Sequence, residues 1–340
     1  MERVYVIAEA GVNHNGSVDR ALEMIDRAAA AGADAVKFQT FRSEEVISVH
    51  APKADYQKAT TGADESQLDM VRALELDAAA HEQLVARCKA RGVQFLSTPF
   101  DVPSVALLVR LGVPMLKIPS GEITNPILLR AIAATRLPLI MSTGMSTLEE
   151  VRAAIAIVAG VWGVEPTDPS LRTRLTVLHC TTEYPAPFDQ VNLRAMLTLA
   201  REFGLPVGYS DHTLGISVAT AAVGLGATVI EKHFTLDRDL PGPDHRASLE
   251  PDELAAMVRA IREISAALGS AEKQPSSAEI KNMAVARKSL VAALAIKRGE
   301  RFTAENLTAK RPGSGISAMR YDEYLDRTAE HDYAADELIR

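Results

Sequence analysis

Two histidines, His212 and His233, close two consecutive apolar runs, and two lysines, Lys37 and Lys117, close two others. Imidazoles from neighbouring strand ends can ligate one divalent metal, with water and substrate oxygens completing its shell. Such an ion acts as a Lewis acid on a carbonyl. A lysine in an enclosed site is expensive to bury unless it meets an anion, which points to a phosphate or carboxylate ligand. Thr98, Ser120, Ser142 and Thr143 add hydroxyl donors near the same strand ends. Glu9, Glu122, Glu231 and Asp244 supply carboxylates that could position sugar hydroxyls, act as base toward a bound water, or pair with Lys37, Lys117 or Lys232. His14, His179 and His245 are weaker ligand candidates, and His179, which precedes its strand end, is expected to face away from the site.

These side chains need elements that bring them to one place. Eight short apolar runs recur at 4–10, 35–39, 94–100, 115–120, 138–143, 175–180, 206–211 and 228–234, most of them ending in polar or charged residues. Segments of helical periodicity separate most of them; in 18–31, Ala21, Leu22, Ile25, Ala28 and Ala29 share one face. Eight strand–helix units predict a closed parallel (β/α)8 barrel of the TIM type, an α/β fold. The C-terminal strand ends of such a barrel open on one face, where its chemistry sits. That face collects the residues above other than His179, together with Asn13, Gln39, Tyr184 and Ser210.

The chain has 340 residues, the length of a barrel of roughly 250 residues plus a further module. Apolar residues make up 47%, enough for a full core, and the net charge of −7 leaves no basic excess for nucleic-acid phosphates. The two cysteines, Cys88 and Cys180, fall in different units and form neither a disulfide framework nor a zinc motif. Cys180 ends a strand and reads as a small buried side chain rather than a nucleophile. No phosphate-binding loop ending in Lys-Ser/Thr and no GxGxxG fingerprint is present, which argues against ATP and dinucleotides. The longest apolar stretch, 218–230, is too short and too glycine-interrupted to span a bilayer, and the first strand starts at Val4, so the expectation is a cytoplasmic enzyme without a membrane partner.

The barrel is expected over 1–268, ending in a helix at 251–268. The polar stretch 269–286 reads as a linker with room for a helical turn, and 287–340 as a small α+β domain with strands near 289–296 and 307–310. The segment 49–74 is long for a βα loop; with Tyr56, Gln57, Thr60, Thr61 and Gly62 it reads as a substrate cover. Asp237–Glu250 carries Pro241-Gly242-Pro243-Asp244-His245 on the same face.

The motifs resemble a known family. Residues 8–16 (AEAGVNHNG), 36–40 (VKFQT), 97–100 (STPF), 117–122 (KIPSGE), 142–145 (STGM), 179–185 (HCTTEYP), 209–213 (YSDHT), 231–234 (EKHF) and 242–245 (GPDH) resemble the sialic acid synthases, phosphoenolpyruvate-dependent enzymes that make nine-carbon 2-keto sugar acids. The tail around Lys310-Arg311-Pro312-Gly313 resembles the SAF, or antifreeze-like, domain. The resemblance implies that Lys37, Thr98, Lys117, Ser120, Ser142 and Ser210 hold phosphoenolpyruvate, with Thr182 near it. It implies a manganese-type ion, with magnesium or cobalt as alternatives, on His212 and His233. Glu9, Tyr184 and Asp244 would lie around the sugar and metal. Glu122 is the carboxylate chosen to assist water addition. By residue type alone Arg311 reads as a solvated turn arginine; the resemblance instead gives it contact with the sugar's N-acetyl group, from the other subunit of a domain-swapped homodimer. The acceptor would be an N-acetylmannosamine-type sugar, and within the family the motifs look more like the legionaminate than the N-acetylneuraminate branch. Two other readings stand beside this one: a Schiff-base aldolase using Lys117 or Lys232, and an inactive barrel whose tail binds glycan or protein.

Overall fold

The computed structural model describes residues 3–52 and 66–340. The expected covering residues Tyr56, Gln57, Thr60, Thr61 and Gly62 lie outside the described residues. The chain divides into two compact units, Met1–Gly269 and Ser270–Arg340.

The first unit is a parallel eight-stranded barrel. Its strands are β1 (Tyr5–Gly11), β2 (Ala35–Thr40), β3 (Gln94–Pro99), β4 (Leu116–Ile118), β5 (Leu139–Ser142), β6 (Leu175–Cys180), β7 (Val207–Asp211) and β8 (Val229–His233). Each described ladder joins sequence neighbours, and β1 closes onto β8 with Glu9 opposite His233. Only between β3 and the three-residue β4 is there contact without a ladder.

Side chains alternate across a strand, so residues two apart share a face. Ile7, Ala35, Leu96, Ile140, Leu178 and Val229 form the apolar plug inside the barrel. Two positions further along each of these strands stand Glu9, Lys37, Thr98, Ser142, Cys180 and Glu231. One face of each strand therefore changes from core to chemistry in a single step. The opposite faces, with Val36, Phe38, Met141, Val177, Tyr209 and Ile230, bury against the helix layer. Helix starts are fixed locally: Ser17, Asp77, Asp101 and Thr147 each cap a backbone N–H of the first turn that follows.

The second unit has a core of Leu290, Ala292, Ile296, Phe302, Leu307, Ala329, Tyr333 and Ile339 around an antiparallel pair, β9 (Ser289–Ala292) and β10 (Leu307–Lys310). The segment read as a linker is corrected here. It holds a full helix, Ser277–Ala286, started by a reciprocal capping box between Ser276 and Glu279, and it belongs to this unit.

Candidate active site

The C-terminal ends of the strands surround a cavity of about 320 Å³. Twelve of the residues singled out from the sequence line it: Glu9, Lys37, Thr98, Lys117, Ser120, Ser142, Thr182, Tyr184, Ser210, His212, His233 and Asp244. Parity along the strands explains the convergence, because Lys37, Lys117, Glu231 and His233 all occupy inward positions.

Four charges form the centre of the site. Lys117 Nζ lies 2.8 Å from both carboxylate oxygens of Glu231. Lys37 Nζ lies 2.7 Å from Glu9 Oε2 and 3.6 Å from Glu231 Oε2, and it donates to Thr98 Oγ1 at 2.8 Å. Burial opposes ionisation of Glu231, but Lys117 and Lys37 outweigh it and hold the carboxyl well below its usual range. Burial pushes Glu9 up to about 7 against the pull of Lys37. Burial also draws the Lys117 ammonium below its usual value, whereas Glu231 and Glu9 together overcome burial and raise Lys37. Glu231 joins these groups, and of the roles open to it in the sequence the structure shows the pairing with Lys37 and Lys117. Its signal was present: it stands two residues before His233 and must share its face.

Hydroxyls ring this centre. Ser210 Oγ donates to Glu231 Oε1 at 3.0 Å, and Ser120 Oγ accepts from the Gly144 N–H at 3.0 Å. Ser142 Oγ and Thr182 Oγ1 are buried with no hydrogen-bond partner. Buried polar atoms are rarely left unpaired in a finished structure, so these two mark places for ligand oxygens.

The two imidazoles stand with ring centroids 5.4 Å apart, and the Tyr184 ring lies 4.3 Å from His212 and 5.5 Å from His233. His212 Nδ1 lies 2.6 Å from the Thr181 carbonyl oxygen, which can only accept. The proton is therefore on Nδ1, and Nε2 keeps its lone pair. Burial lowers His212 to about 4 and, with His212 beside it, lowers His233 well below its usual value. His233 Nδ1 is buried without a partner. Two neutral imidazoles, one with its tautomer fixed from behind, fit a borderline divalent ion. Among the described residues no group of three or more His, Cys, Asp or Glu is arranged to hold a metal. A metal on these two rings would keep open positions for water and substrate oxygen.

Other expectations are relocated. Glu122 is not a lining residue: the wall ends at Gly121, and a 3-10 turn at Ser120–Glu122 carries its carboxylate to Asn125 Nδ2, 2.7 Å away. Lys232 faces the helix layer, fully buried, and pairs with Asp211 at 2.8 Å, so it offers no nucleophile to the cavity. Thr143 Oγ1 is used by the Leu178 carbonyl. His179 lies in the helix layer, as expected, against Tyr209 and the Val191 carbonyl. Asn13 holds Phe234 O and Ser248 Oγ from behind the site. Arg311 belongs to the second unit, is exposed, and donates from Nε to the Ala286 carbonyl.

The loop carrying Asp244 is tied down by neighbours outside the cavity. His245 Nδ1 lies 2.7 Å from Thr235 Oγ1 and its Nε2 3.2 Å from Asn15 Oδ1, while Asn15 Nδ2 donates to the Pro241 carbonyl at 2.6 Å. Asp244 is buried at the cavity wall, and burial raises its carboxyl to about 6.

Comparison with known proteins follows this geometry. Residues 24–273 match the NeuB family and residues 287–340 the SAF domain. The chain is 53% identical, over the full length of both, to the N,N'-diacetyllegionaminic acid synthase of Campylobacter jejuni. It is 49% identical to the protein of the same name from Legionella pneumophila, across 92% of this chain and 86% of that one. The crystal structure of N-acetylneuraminic acid synthetase from Leptospira borgpetersenii superimposes with a TM-score of 0.71 at 35% identity, covering 83% of this chain and 90% of that one. The chain belongs to the NeuB family and carries a SAF domain C-terminal to its barrel in the sequence.

Proposed function

We propose that this protein condenses phosphoenolpyruvate with an open-chain N-acetylmannosamine-type sugar, forming a carbon–carbon bond and releasing phosphate. The observation that carries the reading is the meeting of Lys37 and Lys117 with His212 and His233 in one cavity. The lysines give preorganised positive charge for the phosphate and carboxylate, and Thr98, Ser120, Ser142 and Thr182 donate to their oxygens, with Ser210 beside them and its hydroxyl donating to Glu231. A divalent ion on His212 and His233, manganese in this proposal, would supply Lewis acidity toward the sugar's C1 carbonyl oxygen. Glu9, Tyr184 and Asp244 hold the sugar so that C1 meets C3 of phosphoenolpyruvate. C3 attacks C1, the resulting cation at C2 takes up water, and phosphate leaves with its bridging oxygen. Glu9 takes the proton from that water in place of Glu122, because Glu9 lines the cavity and Glu122 does not.

The acceptor in this proposal is 2,4-diacetamido-2,4,6-trideoxymannose, which gives N,N'-diacetyllegionaminate. Identities of 53% and 49% to synthases of that name, against 35% to the N-acetylneuraminic acid synthetase, support it. Contact of Arg311 with the sugar's N-acetyl group, from a second copy of the chain, completes the proposal. Phosphoenolpyruvate labelled with 18O at the bridging position tests the bond cleaved. Label is expected in inorganic phosphate; label kept in the sugar acid overturns the reading.

A further inference from the structure

One stretch of the cavity wall is formed almost wholly by apolar side chains from the segment after β2. Phe41, Val46, Ile47, Met70, Val71 and Leu74 line it, and Gln67 is the single polar side chain that the described part of this segment adds to the wall. They come from two short helices after β2, Ser43–Val46 and Gln67–Arg72, and the residues flanking them. These helices keep Glu44, Glu45, Asp69 and Arg72 in solvent, and Arg72 joins them by pairing with Glu44 at 2.8 Å. Their apolar residues are turned into the cavity that the charged and imidazole groups also line. Val46, Ile47, Val71 and Leu74 are only half-buried, so they present free apolar surface.

We infer that this wall selects the acceptor: Val46, Ile47, Val71 and Leu74 receive the methyl groups of a 6-deoxy, N-acylated hexose and disfavour a hexose with a C6 hydroxyl. The chemistry is one-sided. A methyl group on this wall leaves water for apolar contact. A hydroxyl in the same place gives up its water partners and finds no donor or acceptor among the four side chains. An apolar pocket discriminates against an added hydroxyl by about 10²-fold at most, so the wall sets a preference between related acceptors rather than an absolute barrier.

The inference rests on the proposed condensation, and its test separates the two. The full chain is assayed with manganese and saturating phosphoenolpyruvate. The ratio of kcat/KM for 2,4-diacetamido-2,4,6-trideoxymannose over N-acetylmannosamine is measured within one preparation, so it does not depend on the folded fraction. The wild type is expected to favour the trideoxy sugar. The Val46→Thr/Val71→Thr variant, which adds hydroxyls at nearly constant shape, is expected to lower that ratio about tenfold or more with an unchanged KM for phosphoenolpyruvate. Val71→Thr alone serves if the double variant does not fold, and Val71→Ile is expected to retain the preference. A ratio unmoved by either threonine variant, or lost equally in Val71→Ile, overturns the wall's role and leaves the condensation standing. A wild type that releases phosphate with neither sugar contradicts the condensation itself.

Discussion

Both carboxylate oxygens of Glu231 lie 2.8 Å from Lys117 Nζ, in a site where Lys37 is bridged to Glu9 and to the same Glu231. Two ammoniums and two carboxylates are buried together. An arriving anion therefore competes with Glu231 and Glu9 for the lysines instead of entering a bare positive hole. This explains how an acidic chain keeps two lysines at its centre, and it gives the pairing a measurable consequence.

In Glu231→Gln two buried ammoniums keep one carboxylate between them. Removing one partner of a buried pair costs about 3–5 kcal/mol, because a charge is left uncompensated. The variant is expected to unfold at markedly lower urea concentration. Inorganic phosphate should restore more stability to it than it adds to the wild type. Equal stability and an equal phosphate response would count against the quartet.

His233→Ala removes one of the two imidazoles offered to a metal. Calorimetry with manganese is expected to find one ion per wild-type chain and none in the variant, and metal-dependent turnover should disappear. Near-normal activity of the variant without added metal would contradict the ligand assignment.

Asp244 gives a pH dependence of stability. Its folded carboxyl sits at about 6 through burial, above the ordinary value near 3.9. The folded state thus holds this proton more tightly than the unfolded state. Stability from that proton is complete below about pH 4 and is lost as pH rises through about 6; above pH 7 the buried charge costs up to about 3 kcal/mol. Asp244→Asn is expected to be more stable than the wild type at pH 7.5 and no more stable at pH 3.5. The difference in unfolding free energy across that range checks it, and a pH-independent difference would refute it.

Gly242 tests the hold on Asp244 from behind. Its φ is +151°, and a Cβ there would stand 2.7 to 2.9 Å from the His245 ring and Asn15 Oδ1. Gly242→Ala must shift the loop that carries Asp244. The expected result is a sugar KM raised about tenfold or more with the KM for phosphoenolpyruvate unchanged. A tenfold KM ratio corresponds to about 1.4 kcal/mol of lost sugar binding.

The barrel was readable because each strand carries its address in its own sequence: an apolar residue inside, then a polar one two positions on, as in Ile7 and Glu9 or Val229 and Glu231. The same parity marks what was misjudged. Lys232 stands at a strand end, yet alternation sends it into the helix layer, Thr143 spends its hydroxyl on the Leu178 carbonyl, and the step that puts His233 inside puts Glu231 there too. Glu122 escaped the rule because the chain turns into a 3-10 helix straight after β4, where a period of two no longer holds. The helix at Ser277–Ala286 had its signal in Ser276 and Glu279, a capping pair overshadowed by the polar composition around it. Arg311 shows the other limit, since neither its turn nor its hydrogen bond to Ala286 says what a guanidinium there would recognise.

The central claim is metal-dependent condensation of phosphoenolpyruvate with an N-acetylated sugar. Phosphate release with manganese, measured in parallel for N-acetylmannosamine and 2,4-diacetamido-2,4,6-trideoxymannose with an EDTA control for each, tests it most directly. The account predicts release that EDTA abolishes, faster with the trideoxy sugar. Release that persists in EDTA, or no release with either sugar, would contradict it.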